Sequence, residues 1–249
     1  MDALGEAGPT GFIPVHVQES CTDCIDAAAL EYTRKEPGGF YLSCPPQGEP
    51  GRGTEMTIEK ESKRAALLSM KVPGQIRFTE ARFLYQLGRR KGNLVEIGCL
   101  HGRSTSVLAQ AAAVFNASLT SIDPFYVTPG MKQQGSAEIV KRNLAAVGLK
   151  PGKLMVMESH AAAAVYQDEV SFLFIDGNHD YEHVREDIAD WAGKVKVTGV
   201  MAFHDMFMPH ISGVAQAVTE WWLSIFDIHN VTWKLEGMTD FTIAFRRVK

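Results

Sequence analysis

No apolar run in this chain exceeds six residues, Ala161 to Tyr166, whereas a membrane-spanning helix needs about 20. A transmembrane segment and a membrane partner are therefore excluded. Cysteine is scarce as well. Four in 249 residues are too few for a disulfide scaffold of this size, and a reducing cytoplasmic compartment is the expectation. An excess of positive charge is also lacking: Lys+Arg total 25 against Asp+Glu 29, a net charge of −4. Nucleic-acid binding draws on clustered cations, and the densest cluster, Arg89-Arg90-Lys91, reads as a solvated helix end. The opening residues have neither the basic nor the apolar stretch of a secretory signal, so none is expected. What remains is an ordinary soluble composition, 45% hydrophobic and 22% charged, which excludes disorder and collagen-like repeats.

The texture changes near residue 75. Seven of the eleven prolines fall before it, and the run from Pro45 to Gly53 is dense in helix and strand breakers. Short helices are expected near Asp23–Arg34 and Ile58–Met70, in an N-terminal extension or lid spanning 1–75. From residue 76 to 249 helix and strand signals alternate. Thr79 is placed to cap a helix running to about Lys91. Apolar runs at Leu94–Ile97, Leu119–Ile122, Leu154–Met157, Val170–Ile175 and Val200–Phe203 read as strands, with two more near Val231–Leu235 and Phe241–Phe245. Helices are expected over Ser104–Phe115, over Met131–Val147 closed by Gly148, and from Ser159. Tyr181, Val184, Ile188 and Trp191 form one helical stripe, and Val214, Val218, Trp221 and Ile225 another. This alternation implies a Rossmann-like, doubly wound α/β fold with a mostly parallel seven-stranded sheet and an antiparallel last strand. Trp191, Trp221 and Trp222 read as core or as a dimer contact, and a homo-oligomer is expected.

In such sheets ligands sit beyond the carboxyl ends of the strands. The first strand of the alternating region runs into Glu96-Ile97-Gly98-Cys99-Leu100-His101-Gly102-Arg103-Ser104. Gly98 and Gly102 let a backbone pass close to a ligand, and the helix after them offers unpaired N–H groups. Leucine at position 100 breaks the dinucleotide pattern, and an acid before the turn suits an ammonium-bearing ligand better than a pyrophosphate. The next strand ends at Asp123, where a carboxylate can accept both hydroxyls of a ribose. A purely structural reading stands beside this one: the glycines pack helix on strand, and Asp123 starts a turn before Pro124.

A second acidic set follows. One strand ends Ile175-Asp176-Gly177-Asn178-His179-Asp180, and the next ends Phe203-His204-Asp205-Met206. Asp176 and Asp205, one βαβ repeat apart, project at the same sheet edge. Two carboxylates there suit Mg²⁺, and a bound cation lowers the pKa of a substrate hydroxyl. His179 is placed to accept the proton. The bland alternatives are a loop histidine at 179, a helix cap at Asp180 and a core histidine at 204. Far upstream, Cys21, Cys24, Cys44 and His16 match a zinc set in part, against four unremarkable side chains.

The glycine loop, the ordered acids and the strand–helix order over residues 76–247 resemble the Rossmann-like S-adenosylmethionine-dependent methyltransferases. That resemblance implies that Glu96, Gly98, Gly102 and Ser104 line the methionine part of the cofactor. It puts Asp123 on the ribose and Ser159 by the adenine, with Asp176 closing the cofactor site on the metal side. The stretches IDGNHDYEHVREDIADW and VMAFHDM resemble metal-dependent small-molecule O-methyltransferases of the macrocin and mycinamicin sugar-modifying type. They imply metal at Asp176 and Asp205, a base at His179, and a hydroxylated small-molecule substrate. Catechol-type relatives carry asparagine where this chain has Met206, so the third ligand is open between His204 and Asp180. The alternatives are methylation of a nucleic acid or protein, and a non-catalytic binding module of the same fold.

Overall fold

The computed structural model describes residues 31–35, 39–43, 52–126, 134–227 and 229–249, with side chains from residue 57 onward. The chain divides into two compact units, Met1–Pro50 and Gly51–Lys249. Within the first, β1 (Glu31–Lys35) and β2 (Gly39–Ser43) pair antiparallel. The expected helix over Asp23–Arg34 is thus a strand in its last four residues, and its remainder lies outside the described residues. Tyr32, Thr33, Phe40 and Tyr41 are aromatic or β-branched, the types that favour a pleated surface. Cys21, Cys24, Cys44 and His16 also lie outside the described residues.

The second unit begins earlier than the change in texture. Helix α1 (Arg52–Ser69) buries Ala65 and Ala66 in the same cluster as Leu84 of α2 (Phe78–Gly88) and Leu108 of α3 (Arg103–Phe115). It therefore packs within the second unit, which begins at Gly51. Helix α2 is not capped by Thr79. Its N-cap is Arg77, whose backbone N–H donates to Glu80 Oε2 at 2.8 Å, so the third helical residue satisfies the exposed donor.

The remaining elements are β3 (Asn93–Ile97), β4 (Ser118–Ile122), α4 (Ala137–Ala146), β5 (Lys153–Met155), α5 (Ser159–Val165), β6 (Val170–Ile175), α6 (Tyr181–Trp191), β7 (Val195–Phe203), α7 (Ser212–Ile225), β8 (Trp233–Thr239) and β9 (Thr242–Arg247). The sheet order is β5-β4-β3-β6-β7-β9-β8. Strand β9 runs antiparallel to both β7 and β8, and the other pairings are parallel. This is the expected doubly wound sheet. All six residues of β6 are buried, as a central parallel strand covered on both faces requires. Its side chains alternate between two cores. Phe172 and Phe174 face the cluster with α1, α2 and α3, whereas Leu173 and Ile175 face α5, α6 and α7. Trp191 is fully buried, and Trp221 packs its ring on Phe203, Trp233 and Phe245, so these indoles serve the core. Chain order reverses between β3 and β6, and the loops after these two strands, with Gly98, Gly102, Asp176 and His179, lie at that switch point.

Candidate functional site

The loop after β3 is held in an unusual backbone path. Gly98, Leu100 and Gly102 all have positive φ, at 82°, 43° and 94°. Only glycine fits at 98: a Cβ there would stand 2.0 Å from the Asp176 carbonyl oxygen. The loop after β3 is thereby pressed against the loop after β6. The alternating turn aims consecutive N–H groups at one point, the geometry of an anion-binding nest. Asp123 fills it. Its Oδ2 accepts from the N–H groups of Cys99 (2.9 Å) and Leu100 (2.8 Å), and its Oδ1 from Phe125 (2.7 Å).

Glu96 follows the strand's alternation and points to the α3 face. It is fully buried, and its Oε2 accepts from Thr105 Oγ1 (2.7 Å) and Ser121 Oγ (2.6 Å). Oε1 is buried without a hydrogen-bond partner. Burial pushes this carboxyl up to about 7, against hydrogen bonds from Ser104, Ser121 and Thr105.

A cleft of about 600 Å³ opens above these loops, within the size range of small-ligand sites. Gly98, Ser104, Asp123, Ser159, Asp176 and His179 line it. Glu96, Gly102 and Asp205 are not part of its lining. Gly102 is the N-cap of α3, where a Cβ would press on Leu144 and Val140 of α4. Ser159 Oγ accepts from Trp191 Nε1 at 2.9 Å, so this hydroxyl is already tied into the fold. At the mouth the Tyr126 hydroxyl donates to Glu158.

At the far end Asp176, His179 and Asp205 converge, with one donor atom from each within 4.8 Å of the others. His179 Nε2 lies 2.9 Å from Asp205 Oδ2 and 3.9 Å from Asp176 Oδ1. Asp176 and Asp205 raise His179 to about 9, so at neutral pH it carries a proton. His204 is 4% exposed. Its Nδ1 lies 3.0 Å from Asp176 Oδ1 and 3.2 Å from Asp205 Oδ2, and its Nε2 lies 3.2 Å from Glu80 Oε1. Burial would lower His204, but the Asp176 charge leads a set of carboxylate contacts that hold it well above the ordinary histidine range. Burial alone would raise Asp176 and Asp205. The two imidazoles outweigh that effect and hold both below the ordinary carboxylate range.

His204 Nδ1 is in hydrogen-bond contact with Asp176 Oδ1, whereas His179 Nε2 lies beside Asp205 Oδ2 without an aligned hydrogen bond, so the two carboxylates keep acceptor capacity for a further ligand. That arrangement fits a hard cation. Neither residue expected as a third ligand is presented for it. His204 turns Nδ1 to Asp176 and holds Nε2 against Glu80, buried and without an aligned hydrogen bond, and Asp180 is exposed at the N-cap of α6. Met206 is buried in the core.

Sequence reasoning missed two buried acids, and both had a signal. Glu80 shares the buried face of α2 with Ala81, Leu84 and Tyr85. Asp187 interrupts the apolar stripe of α6 between Val184 and Trp191. An acid on the apolar face of a helix needs a partner.

Comparison with known proteins bears on the fold. Residues 95–206 match the model of a methyltransferase domain family. The O-methyltransferase NovP aligns over 79% of this chain and 100% of its own, at 16% identity and a TM-score of 0.59. TomG from Streptomyces achromogenes, an O-methyltransferase of tomaymycin synthesis in complex with S-adenosylmethionine, aligns over 77% of this chain and 89% of its own. Its identity is 14% and its TM-score 0.54. An rRNA methylase from Streptococcus thermophilus aligns over 71% and 100% of the two chains, at 13% identity and a TM-score of 0.51. The chain thus has a Rossmann-like α/β fold, with a methyltransferase-domain match over residues 95–206. The fold is the one these methyltransferases have.

Proposed function

We propose that this chain transfers a methyl group from S-adenosylmethionine to a hydroxyl oxygen of a small molecule, a sugar or another natural product. The observation that carries the proposal is the convergence of Asp176, His179 and Asp205 at one end of the cleft that the glycine loop and Asp123 begin. When bound, S-adenosylmethionine supplies an electrophilic methyl carbon, and a Mg²⁺ ion held by Asp176 and Asp205 supplies positive charge that acidifies a substrate hydroxyl.

The chain's own part is positioning. The glycine loop fixes one wall, Asp123 offers its remaining lone pairs to a ribose, and Asp176 and Asp205 hold the acceptor end. Alignment of oxygen, carbon and sulfur is the main requirement of such a transfer. His179 is the group in place to take the hydroxyl proton. Neutral imidazole is the form that accepts it, so the carboxylate charge that now keeps His179 protonated must be taken up by another partner in the working complex.

Isothermal calorimetry tests the cofactor half. Wild type is expected to bind S-adenosylhomocysteine, and Asp123→Ala to bind at least about tenfold more weakly, for loss of a charge-assisted hydrogen bond. No binding by wild type would sink the cofactor reading. With an accepted substrate in hand, methyl transfer is expected to fall in excess chelator and in Asp176→Ala. Full activity under chelation would remove the cation from the proposal.

A further inference from the structure

Asp176 and Asp205 stand at the ends of neighbouring strands, and strand geometry alone does not fix where their carboxylates point. Asp205 has a φ of 57°, in the left-handed region that residues other than glycine seldom take. Such a backbone persists where its surroundings hold it. The main chain on either side is pinned: His204 N–H donates to the Ile175 carbonyl (3.0 Å), and Met206 N–H to the Phe241 carbonyl (2.9 Å).

The side chains are pinned through a single ring. His204 Nδ1 lies 3.0 Å from Asp176 Oδ1 and 3.2 Å from Asp205 Oδ2, so one imidazole spans both carboxylates. Its other nitrogen, Nε2, lies 3.2 Å from Glu80 Oε1. That same oxygen accepts from Phe241 N–H (3.2 Å) and from Thr242 Oγ1 (3.1 Å), and Oε2 accepts from Arg77 N–H (2.8 Å). Glu80 therefore joins the start of α2, the turn into β9 and the His204 ring. Capping a helix does not call for this. A capping acid works at the surface, whereas Glu80 is fully buried, where an acid is kept at a cost.

We infer that Glu80 is a positioning residue of the acid pair: through His204 it fixes where Asp176 and Asp205 point, and so sets the affinity of the cation site. This role rests on the cation reading above. It requires no contact with ion or substrate, and Glu80 is not part of the cleft lining. Partners that orient metal ligands from behind typically carry about ten- to a hundredfold in metal affinity.

Mn²⁺ binding to the intact protein, followed by electron paramagnetic resonance of the free ion, tests this without a substrate. Glu80→Asp keeps the charge but is one methylene too short to reach Arg77, the β9 turn and His204 together. It should bind Mn²⁺ at least about tenfold more weakly than wild type, and S-adenosylhomocysteine to within about twofold of wild type. In a His204→Asn background the same change at Glu80 should alter Mn²⁺ affinity by less than about twofold, because the link it acts through is gone. An equal loss with and without His204 overturns the inference. So does a Glu80→Asp variant that weakens both ligands alike or neither, the signature of a merely structural acid. If Glu80→Asp does not fold, Thr242→Val decides. It withdraws one donor from Oε1 and should weaken Mn²⁺ binding by about threefold; unchanged affinity overturns the inference. Wild type that binds no Mn²⁺ overturns the cation reading itself and this role with it, an outcome distinct from a variant that binds as wild type does.

Discussion

Glu96 and Glu80 are both fully buried acids, and their surroundings settle their charge in opposite ways. Glu96 is met by hydroxyl groups, which stabilise its charge too weakly to offset burial, so it is raised from 4.5 to about 7. A carboxyl whose folded value lies above its unfolded one binds more protons when folded. Its stabilising contribution is present below about 4.5 and is lost as pH rises through about 7. Glu96→Gln removes that dependence. Relative to wild type, the variant should gain on the order of 3 kcal/mol between pH 4.5 and pH 8 in urea denaturation. A constant difference across that range would refute this account of Glu96. For Glu80, burial is offset chiefly by His204, and the carboxyl is held below its ordinary value. Glu80→Ala takes one of three carboxylates from a buried imidazolium and removes the α2 cap together. The expected loss is about 3–5 kcal/mol at pH 7, with Glu80→Gln losing clearly less. Equal losses would mean that the charge of Glu80 is irrelevant.

At the scale of elements, the parallel strands and their carboxyl ends were legible because their cue is local. A short apolar run bounded by a glycine or an acid, as at Ile97-Gly98 and Ile175-Asp176, reads as a buried strand from either direction. Element ends were less legible where their determinants lie elsewhere. Helix α2 starts at Phe78 because Glu80 reaches back to Arg77, and Thr79, the residue with capping chemistry, contacts Asp240 across the fold. Strand β7 begins at Val195, five residues before its apolar run, since Val195 pairs with Val170 across an irregular register. The Asp176, His179 and Asp205 cluster could be read from strand spacing, but the third side of the same cluster could not. Glu80 joins it from a helix 96 positions before Asp176 by way of His204. The contact between the β3 and β6 loops is equally non-local, and it makes a sharp prediction. Gly98→Ala must displace the Asp176 carbonyl, so it should cost about 2–4 kcal/mol and weaken S-adenosylhomocysteine binding. Near-wild-type stability in chemical denaturation would show that the two loops move apart freely.

For the whole molecule, the boundary between units has a direct test. A chain starting at residue 51 keeps α1 and every element of the site and should unfold in one cooperative transition. A chain starting at residue 76 lacks Ala65 and Ala66 and uncovers the α2 and α3 surface they pack on. It should be several kcal/mol less stable or aggregate. If the two truncations melt alike, α1 is dispensable to the core.

The nest in the glycine loop carries one more consequence at this scale. Its N–H groups are spent on Asp123, which adds a fixed negative charge where many nucleotide sites keep an open cradle. Most adenosine in a cell bears phosphate, and a cleft that merely recognised adenosine would stand jammed with ATP. On the proposed function, the Asp123 carboxylate should sort adenosine compounds by their charge. Millimolar ATP or NAD should leave bound S-adenosylhomocysteine undisplaced, and the cleft stays open to the sulfonium compound amid a large excess of look-alikes.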